Sequence, residues 1–176
     1  MSRPKRQHNH LRERFDREGR RMGATNAMFV HAVAAQLGLN PTDFESMDVL
    51  DWTGPIPAGR LAELTGLSTG AISGILDRLE AGGWIARTRD PHDGRKVIVS
   101  LVPERVTDIA PLYAGVASGI DQLVSELSDA ELAIIVDVLS RLNDIFLEET
   151  LHLRARRRAG LAQPGGRGTP PPRLRS

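Results

Sequence analysis

Apolar positions in the middle of the chain predict two short helices separated by a tight turn. The second helix carries its apolar residues at the spacing of one buried helix face, and these are Ile72, Ile75, Leu76 and Leu79. Ser68 precedes that helix and is a favoured N-cap, because its hydroxyl can accept a hydrogen bond from a first-turn backbone N–H group. The Gly82-Gly83 pair ends the helix, since glycine adopts left-handed backbone conformations at little cost. The first helix breaks at Thr65-Gly66-Leu67, so the pattern predicts a helix-turn-helix.

A predicted β-hairpin follows this helix pair. Residues 84–89 and 96–101 are strand-like, and Val97, Val99 and Leu101 alternate at the period of two that is typical of a half-buried strand. Between them, residues 90–95 read Asp-Pro-His-Asp-Gly-Arg, which is rich in turn-forming residues. The helix pair alone is equally compatible with an ordinary helical hairpin in a protein core. With the basic-tipped hairpin added, the pattern predicts a winged helix, which is a DNA-binding architecture.

The predicted winged helix resembles the core of the MarR family of bacterial transcriptional regulators. The resemblance rests on LAELTGLSTGAISGILDRLEAGGWIART followed by DPHDGRKVIVSL, in which D-R-L-E and the D-x-x-D-x-R of the hairpin tip are the most specific parts. The upstream LGLNPTDFESMDVL and the helices after the hairpin also match the family's layout, so the resemblance covers roughly residues 14–154. It implies an obligate homodimer, a pseudo-palindromic operator and, often, a pocket for a small-molecule effector.

The expected fold is mainly α-helical with a small β-hairpin wing. A winged helix-turn-helix core at about residues 56–101 is flanked by N- and C-terminal dimerisation helices at about 11–37 and 103–154. We expect residues 1–10 to form a flexible basic N-terminus. Residues 155–176 have the Arg, Pro and Gly composition of a disordered tail.

The first predicted helix has an approximate apolar stripe formed by Phe15, Met22, Phe29, Val33 and Leu37. His31 lies beside this stripe and is interpreted as a partly buried structural histidine, with an effector contact as the alternative.

A second helix then starts with Asn40 as its N-cap and Pro41 as its first helical residue. Its acidic residues are Asp43, Glu45, Asp48 and Asp51. No histidine or nucleophile accompanies them, so we interpret them as a solvated face; an interaction with a basic segment of a partner subunit is the alternative.

After the wing, Pro103 starts a predicted long helix, and Pro111 in its second or third turn should kink that helix. Such a kink could act as a hinge or be a static bend.

The last helix starts with an S-x-x-E capping box formed by Ser128 and Glu131. That helix carries more apolar side chains than a thin winged-helix core can cover, namely Leu132, Ile135, Leu139, Leu142, Phe146 and Leu153. Burial against a second subunit accounts for this surplus.

Charge is distributed unevenly along the chain. The formal net charge is +1, with +5 in residues 1–22, +7 in residues 154–176 and −11 in the remainder. The basic ends could attract DNA phosphates or simply keep the chain in solution, and composition does not separate these roles.

Cysteine is absent, which excludes disulfides and thiolate metal sites. No apolar run reaches the roughly 20 residues needed to cross a bilayer, and the N-terminus lacks the apolar stretch of a secretory signal. We expect a cytoplasmic protein without a membrane partner.

The candidate DNA contacts lie on the second helix and on the wing. Ser68 and Thr69 lie at the helix N-terminus, where backbone N–H groups can bind phosphate. Small residues follow on the exposed face, so we expect modest base readout through thymine methyl contact and hydroxyl hydrogen bonds. By family resemblance, Arg95 enters the minor groove and Asp93 orients it. The full predicted set is Ser68, Thr69, Gly70, Ala71, Ser73, Gly74, Arg78, Arg87, Arg89, Asp93, Arg95 and Lys96.

The function predicted from these observations is a homodimeric DNA-binding transcriptional regulator, and specifically a ligand-responsive repressor. The alternative is an architectural DNA-binding protein with weak sequence preference, which the small residues of the second helix favour. An enzyme is not expected, because the sequence has no phosphate loop, metal-ligand cluster or nucleophile–base pair, and no cofactor or metal is implied. Effectors in the family are often small aromatic acids, but no arginine or tyrosine constellation marks a pocket for one here.

Overall fold

Helices and strands follow the predicted order in the computed structural model, which describes residues 3–161 and the side chains of residues 6–157. The first helices are α1 (Arg3–Gln36), α2 (Pro41–Thr53), α3 (Ala58–Thr65) and α4 (Thr69–Ala81). The strands are β1 (Ile56–Pro57), which precedes α3, and the wing strands β2 (Ile85–Arg89) and β3 (Val97–Leu101). The chain continues through α5 (Pro103–Val106), α6 (Ala110–Ser125) and α7 (Asp129–Leu161). The fold is mainly α-helical with a small antiparallel sheet, which confirms the predicted class.

The sheet has three strands in the order β1-β3-β2, and both pairs are antiparallel. At the base of the wing Ile85 pairs with Leu101, and next to the tip Arg89 pairs with Val97. On the other side of β3, Ile56 pairs with Val99. The sequence predicted the hairpin but not β1, because a two-residue strand is too short to show an alternating pattern.

The predicted apolar face of α4 is buried. Its four residues Ile72, Ile75, Leu76 and Leu79 are all at most 4% exposed. They pack in one cluster with residues from α2, α3 and the sheet, namely Met47, Leu50, Leu61, Trp84, Ile85 and Val99. Because α4 is held from behind by this core, its opposite face is left exposed at the surface.

The predicted helix caps are present. The Asn40 side chain accepts a hydrogen bond from the backbone N–H of Asp43 at 2.9 Å, and Pro41 occupies the first turn of α2. At the start of α7, the backbone N–H of Ser128 donates to the Glu131 carboxylate at 2.9 Å, and the Glu131 N–H donates to the Ser128 hydroxyl at 3.4 Å. The hydrogen bond from the Ser128 hydroxyl lowers the pKa of Glu131.

The two terminal helices extend beyond their predicted ends. Helix α1 begins at Arg3, so the expectation of a flexible segment at residues 1–10 is wrong from residue 3 onward. Pro4 falls in the first turn, where proline is tolerated, and Arg, Lys and Gln are good helix formers. Helix α7 runs to Leu161 instead of ending near residue 154. The rest of the predicted disordered tail lies outside the described residues.

The helix predicted to start at Pro103 is divided into two. Helix α5 ends at Val106, residues 107–109 form a turn, and α6 begins at Ala110. Pro111 therefore lies in the first turn of α6, where its missing N–H group removes no helical hydrogen bond. The predicted kinked continuous helix is wrong, because the chain ends one helix and starts another before the proline.

Two interpretations of polar residues also change. The His31 side chain is 55% exposed, with Nε2 4.0 Å from the Glu45 carboxylate, so it is not partly buried. The acidic residues of α2 are not all solvated: Asp43 is only 2% exposed and Asp48 is half-buried, whereas Glu45 and Asp51 are exposed. Asp43 occurs at the helical spacing of Met47 and Leu50, which places it on the buried face.

The chain divides into two compact units, residues 1–117 and residues 118–176. The first unit contains the winged helix. In the second unit, the end of α6 and the whole described length of α7 expose large apolar side chains: Ile120, Leu123, Ile134, Ile135, Val136, Leu139, Ile145, Phe146 and Leu153. None of the helices within residues 3–161 has both the length and the apolar character of a membrane span.

Candidate nucleic-acid interface

A tight turn presents the N-terminus of α4 at the surface. Gly66 ends α3 in the left-handed conformation, with φ of 73°, and its N–H donates to the carbonyl of Ala62 at 2.9 Å. The Ser68 hydroxyl accepts a hydrogen bond from the backbone N–H of Ala71 at 3.3 Å, which confirms the predicted N-cap. The other first-turn N–H groups have no helical acceptor, and the helix dipole favours an anion at this end.

The exposed face of α4 is built from small residues, as the sequence indicated. Ser68, Thr69, Gly70, Ala71 and Ser73 are exposed, and Gly74 is half-buried. A Cβ atom added at Gly70 would meet no atom within 4 Å, so the packing of the chain does not require glycine there. The Ser73 hydroxyl donates to the carbonyl of Thr69 at 2.9 Å, which leaves its oxygen lone pairs to accept a hydrogen bond from outside.

Arg78 has an intramolecular partner that the sequence analysis did not identify. Its Nε and Nη2 atoms donate to the two carboxylate oxygens of Asp43 at 2.9 and 2.6 Å. The Asp43 side chain is only 3% exposed, whereas that of Arg78 is 56% exposed. Arg78 belongs to the predicted set of DNA contacts, and its guanidinium is held by Asp43 of α2 in a bidentate pair. Arg78 therefore anchors α4 to α2.

Arg87 likewise connects two parts of the interface. Its Nη2 atom donates to the Asp77 carboxylate at 2.7 Å, and its Nε atom lies 3.5 Å from the Glu80 carboxylate. The Arg87 side chain is 25% exposed. Arg87 belongs to the predicted set of DNA contacts, and its pairs with Asp77 and Glu80 also hold β2 of the wing against α4. Sequence periodicity carries no signal for such a pairing between elements.

The wing tip is a folded turn that orders its basic residues. The Asp90 carboxylate accepts hydrogen bonds from the backbone N–H groups of His92 and Asp93 at 2.8 and 3.2 Å. The Arg95 Nε atom donates to the Asp93 carboxylate at 3.1 Å, and this hydrogen bond lowers the pKa of Asp93. Lys96 Nζ lies 3.6 Å from the same carboxylate. The Arg95 side chain is 92% exposed, so Asp93 orients a guanidinium that projects into solvent. Arg89, at the end of β2, is also exposed.

A cavity behind the winged helix was not predicted from the sequence. It has a volume of about 430 Å³ and is lined by Phe44, Met47, Asp48, Asp51, Trp52, Leu101, Val106, Ile109, Ala110 and Tyr113. Burial, followed by the charges of Asp51 and Glu45, raises the pKa of Asp48 to about 6. Burial also raises the pKa of Tyr113, and the charges of Asp48 and Asp51 add to this effect. The spacing of Phe44, Met47, Asp48 and Asp51 on one face of α2 was the available sequence signal.

The MarR family model matches residues 39–97, which include the helix-turn-helix and most of the wing. The HTH-type transcriptional regulator YcgE of Bacillus subtilis is 36% identical over 135 residues, which cover 77% of this chain and 88% of YcgE. The chain belongs to the MarR family. A second relative, the HTH-type transcriptional regulator MhqR of Bacillus subtilis, is 27% identical over 104 residues, or 59% of this chain and 72% of MhqR.

Solved structures of MarR-type regulators share the fold. The transcriptional regulator Tm0710 from Thermotoga maritima superimposes with a TM-score of 0.56 at 24% identity, covering 78% of this chain and 97% of Tm0710. Wild-type apo MarR from E. coli gives a TM-score of 0.51 at 21% identity, covering 72% of this chain and 94% of MarR. Membership of the MarR family makes this chain a DNA-binding transcriptional regulator, and its relatives are regulators and not enzymes.

Proposed function

We propose that this MarR family regulator acts as a homodimer that represses transcription from a pseudo-palindromic operator and responds to a small-molecule effector. The DNA-binding part of this proposal rests on Arg95 at the wing tip. Asp93 orients this side chain, and its guanidinium is exposed to solvent. A guanidinium of this kind suits a narrow minor groove, where the negative potential is strongest. Since bacterial regulators act on the chromosome, we place the protein in the cytoplasm.

The major-groove contacts in this proposal come from the exposed face of α4. Ser68 and Thr69 would contact phosphate at the helix N-terminus, and Gly70, Ala71, Ser73 and Gly74 would face the base edges. Lys96 and Arg89 would contact the backbone beside Arg95. These residues would be positioned by three ion pairs, which are Arg78 with Asp43, Arg87 with Asp77, and Asp93 with Arg95.

The dimer in this proposal is supported by the exposed apolar residues of α7. Ile135, Leu139 and Phe146 are 40%, 42% and 69% exposed, and they occur at spacings of four and seven residues along one helix face. A continuous stripe of this kind is costly to leave in water, and a second copy of the chain would cover it by symmetry. The effector in the proposal is supported by the cavity between α2, β3, α5 and α6.

The test is selection of genomic DNA by the purified full-length chain, followed by footprinting and by a reporter assay. A dimer that reads adjacent major grooves on one face of DNA should protect two half-sites about one helical turn apart, or roughly 10 bp between their centres. A reporter driven by a promoter that contains the site should be repressed when the chain is expressed. An asymmetric single half-site bound with full affinity would contradict the dimeric operator.

A second candidate function is that of an architectural DNA-binding protein with weak sequence preference. The small side chains on the exposed face of α4 favour it, because they offer few bidentate donors for guanine or adenine. The basic residues of the first 22 positions would add attraction that does not depend on sequence. In the footprinting experiment, uniform coverage of long duplexes instead of a protected palindrome would favour this function.

A further inference from the structure

The walls of the cavity behind the winged helix are aromatic and apolar, with carboxylates on one side. Phe44 and Met47 of the lining are 1% and 2% exposed, whereas Trp52 of the lining is 59% exposed. Tyr113 from α6 completes the aromatic lining and packs edge-on against Phe29, with the ring centroids 5.1 Å apart. The volume of about 430 Å³ is in the range of cavities that hold small organic ligands.

The charges in this cavity have one sign. Asp48 and Asp51 lie three residues apart on α2, so their side chains are neighbours on one helix face. Neither has a hydrogen bond or ion pair with another described residue. The lining contains no lysine, arginine or histidine: β3, α5 and the turn before α6 contribute the apolar Leu101, Val106 and Ile109, and α6 contributes Ala110 and Tyr113. Two adjacent carboxylates without a cation repel each other, and a bound cation would relieve that repulsion.

We infer that this cavity binds an organic cation with an aromatic or branched apolar body, with Asp48 and Asp51 balancing its charge and the aromatic rings packing around it. Trp, Tyr and Phe rings attract a cation held over their faces, and this attraction adds to that of the carboxylates. An aromatic acid would instead bring a third negative charge to the carboxylate pair. The inference rests on the proposed function, in that it names the chemical class of the effector for the proposed regulator.

The experiment compares two probes of the same shape and opposite charge. Tetraphenylphosphonium and tetraphenylborate are titrated separately into the full-length protein at pH 7.5 in a sodium buffer, and binding is followed by calorimetry and by tryptophan fluorescence, to which Trp52 contributes. The variants are Asp48→Asn, Asp51→Asn and the double variant. Glu45→Gln is the matched control, because Glu45 is an exposed carboxylate of the same helix that does not line the cavity.

The phosphonium should bind at least tenfold more tightly than the borate. The double variant should lose at least tenfold in phosphonium affinity, Asp51→Asn alone should show part of this loss, and Glu45→Gln should stay within twofold of wild type. Phosphonium affinity should also rise between pH 5 and pH 7, because Asp48 has a pKa of about 6 and must lose its proton to pair with the cation. Circular dichroism of each variant checks that a lost affinity is not a lost fold.

Equal affinity for the two probes, binding of neither, or an unchanged affinity of the double variant would overturn the inference. The same protein preparation is tested for operator binding without any probe. If neither probe binds but the protein still binds its operator, only the inference of a cationic effector is wrong. Failure of operator binding contradicts the proposed function itself, whatever the probes do.

Discussion

Arg78 of α4 and Asp43 of α2 form a bidentate pair, with distances of 2.9 and 2.6 Å from the guanidinium nitrogens to the carboxylate oxygens. The two residues are 35 positions apart in sequence. Asp43 is almost completely buried and Arg78 is more than half exposed, so the arginine reaches from the surface to satisfy a buried charge. The pair fixes the position of α4 relative to the helix that also forms one wall of the cavity.

Removing Arg78 should therefore be more harmful to stability than neutralising Asp43. Arg78→Ala leaves the buried carboxylate of Asp43 without its partner, and an unsatisfied buried polar group costs about 1–3 kcal/mol. Asp43→Asn removes the buried charge while keeping the side-chain shape, and the exposed arginine can turn to water. We expect a lower urea midpoint for Arg78→Ala than for Asp43→Asn, measured by circular dichroism. Equal midpoints for wild type and Arg78→Ala would show that the pair does not stabilise the fold.

The pH dependence of stability should report on Asp48. Its pKa in the folded protein is raised from 3.8 to about 6, so the folded state binds the proton more tightly than the unfolded state does. Asp48 therefore lowers the stability as pH rises from about 4 to about 6, and this loss is complete above pH 6. Because the side chain is partly solvated, the full pKa shift overstates the effect, and we expect on the order of 1 kcal/mol.

Asp48→Asn removes this titration. At pH 7 the variant should be more stable than wild type to urea, and the difference should shrink as the pH falls and disappear near pH 3, which is below the pKa of Asp48 in both the folded and the unfolded state. Glu126→Gln, at an exposed position outside α2, serves as the control for the change in net charge, because the charge of Glu45 itself contributes to the raised pKa of Asp48. A constant difference between Asp48→Asn and wild type from pH 4 to pH 7 would contradict the assignment of the raised pKa to Asp48.

The local elements of this fold were predictable because their signals are local. The burial of Ile72, Ile75, Leu76 and Leu79 follows from helical spacing, and the caps at Asn40, Ser68 and Ser128 follow from side-chain chemistry next to the first turn. The wing followed from alternating residues on either side of a turn sequence. The end of α5 was missed because Pro111 was placed inside one long helix instead of in the first turn of a second helix.

The partners of charged residues could not be predicted in the same way. Arg78 and Arg87 stand in the predicted set of DNA contacts because they are basic residues on the expected interface, and the sequence did not indicate that each pairs with a carboxylate of another element. Which carboxylate comes within reach depends on how α2, α4 and the wing pack. The cavity was missed for the same reason, since its lining comes from four separate segments of the chain.

The apolar face of α7 should be required for dimer formation. Leu139→Asp places a carboxylate in the centre of the exposed apolar stripe, and a charge buried without a partner costs several kcal/mol. We expect monomer or aggregate by light scattering. Ser140→Asp adds the same charge at an exposed position away from the stripe and should remain dimeric. A well-folded wild-type monomer at micromolar concentration would contradict the proposed dimer.

Arg95→Ala should weaken DNA binding without changing the fold or the dimer. The side chain is 92% exposed, so its removal creates no cavity. Among the described residues its guanidinium donates a hydrogen bond to the carboxylate of Asp93 alone, and that carboxylate also has Lys96 nearby. We expect a loss of about 1–3 kcal/mol in operator binding, the range for a specific arginine contact. Because a cation near phosphate displaces counterions, the salt dependence should become shallower by up to about one unit per subunit.

Ser73→Ala distinguishes this effect from base readout. The Ser73 hydroxyl lies on the exposed face of α4 and carries no charge, so its removal should relax discrimination at one base pair and leave the salt dependence unchanged. Salt titrations of wild type and both variants against the operator and a scrambled duplex measure the two effects separately. If Arg95→Ala binds the operator as tightly as wild type at every salt concentration, the assignment of the wing tip to the minor groove is wrong.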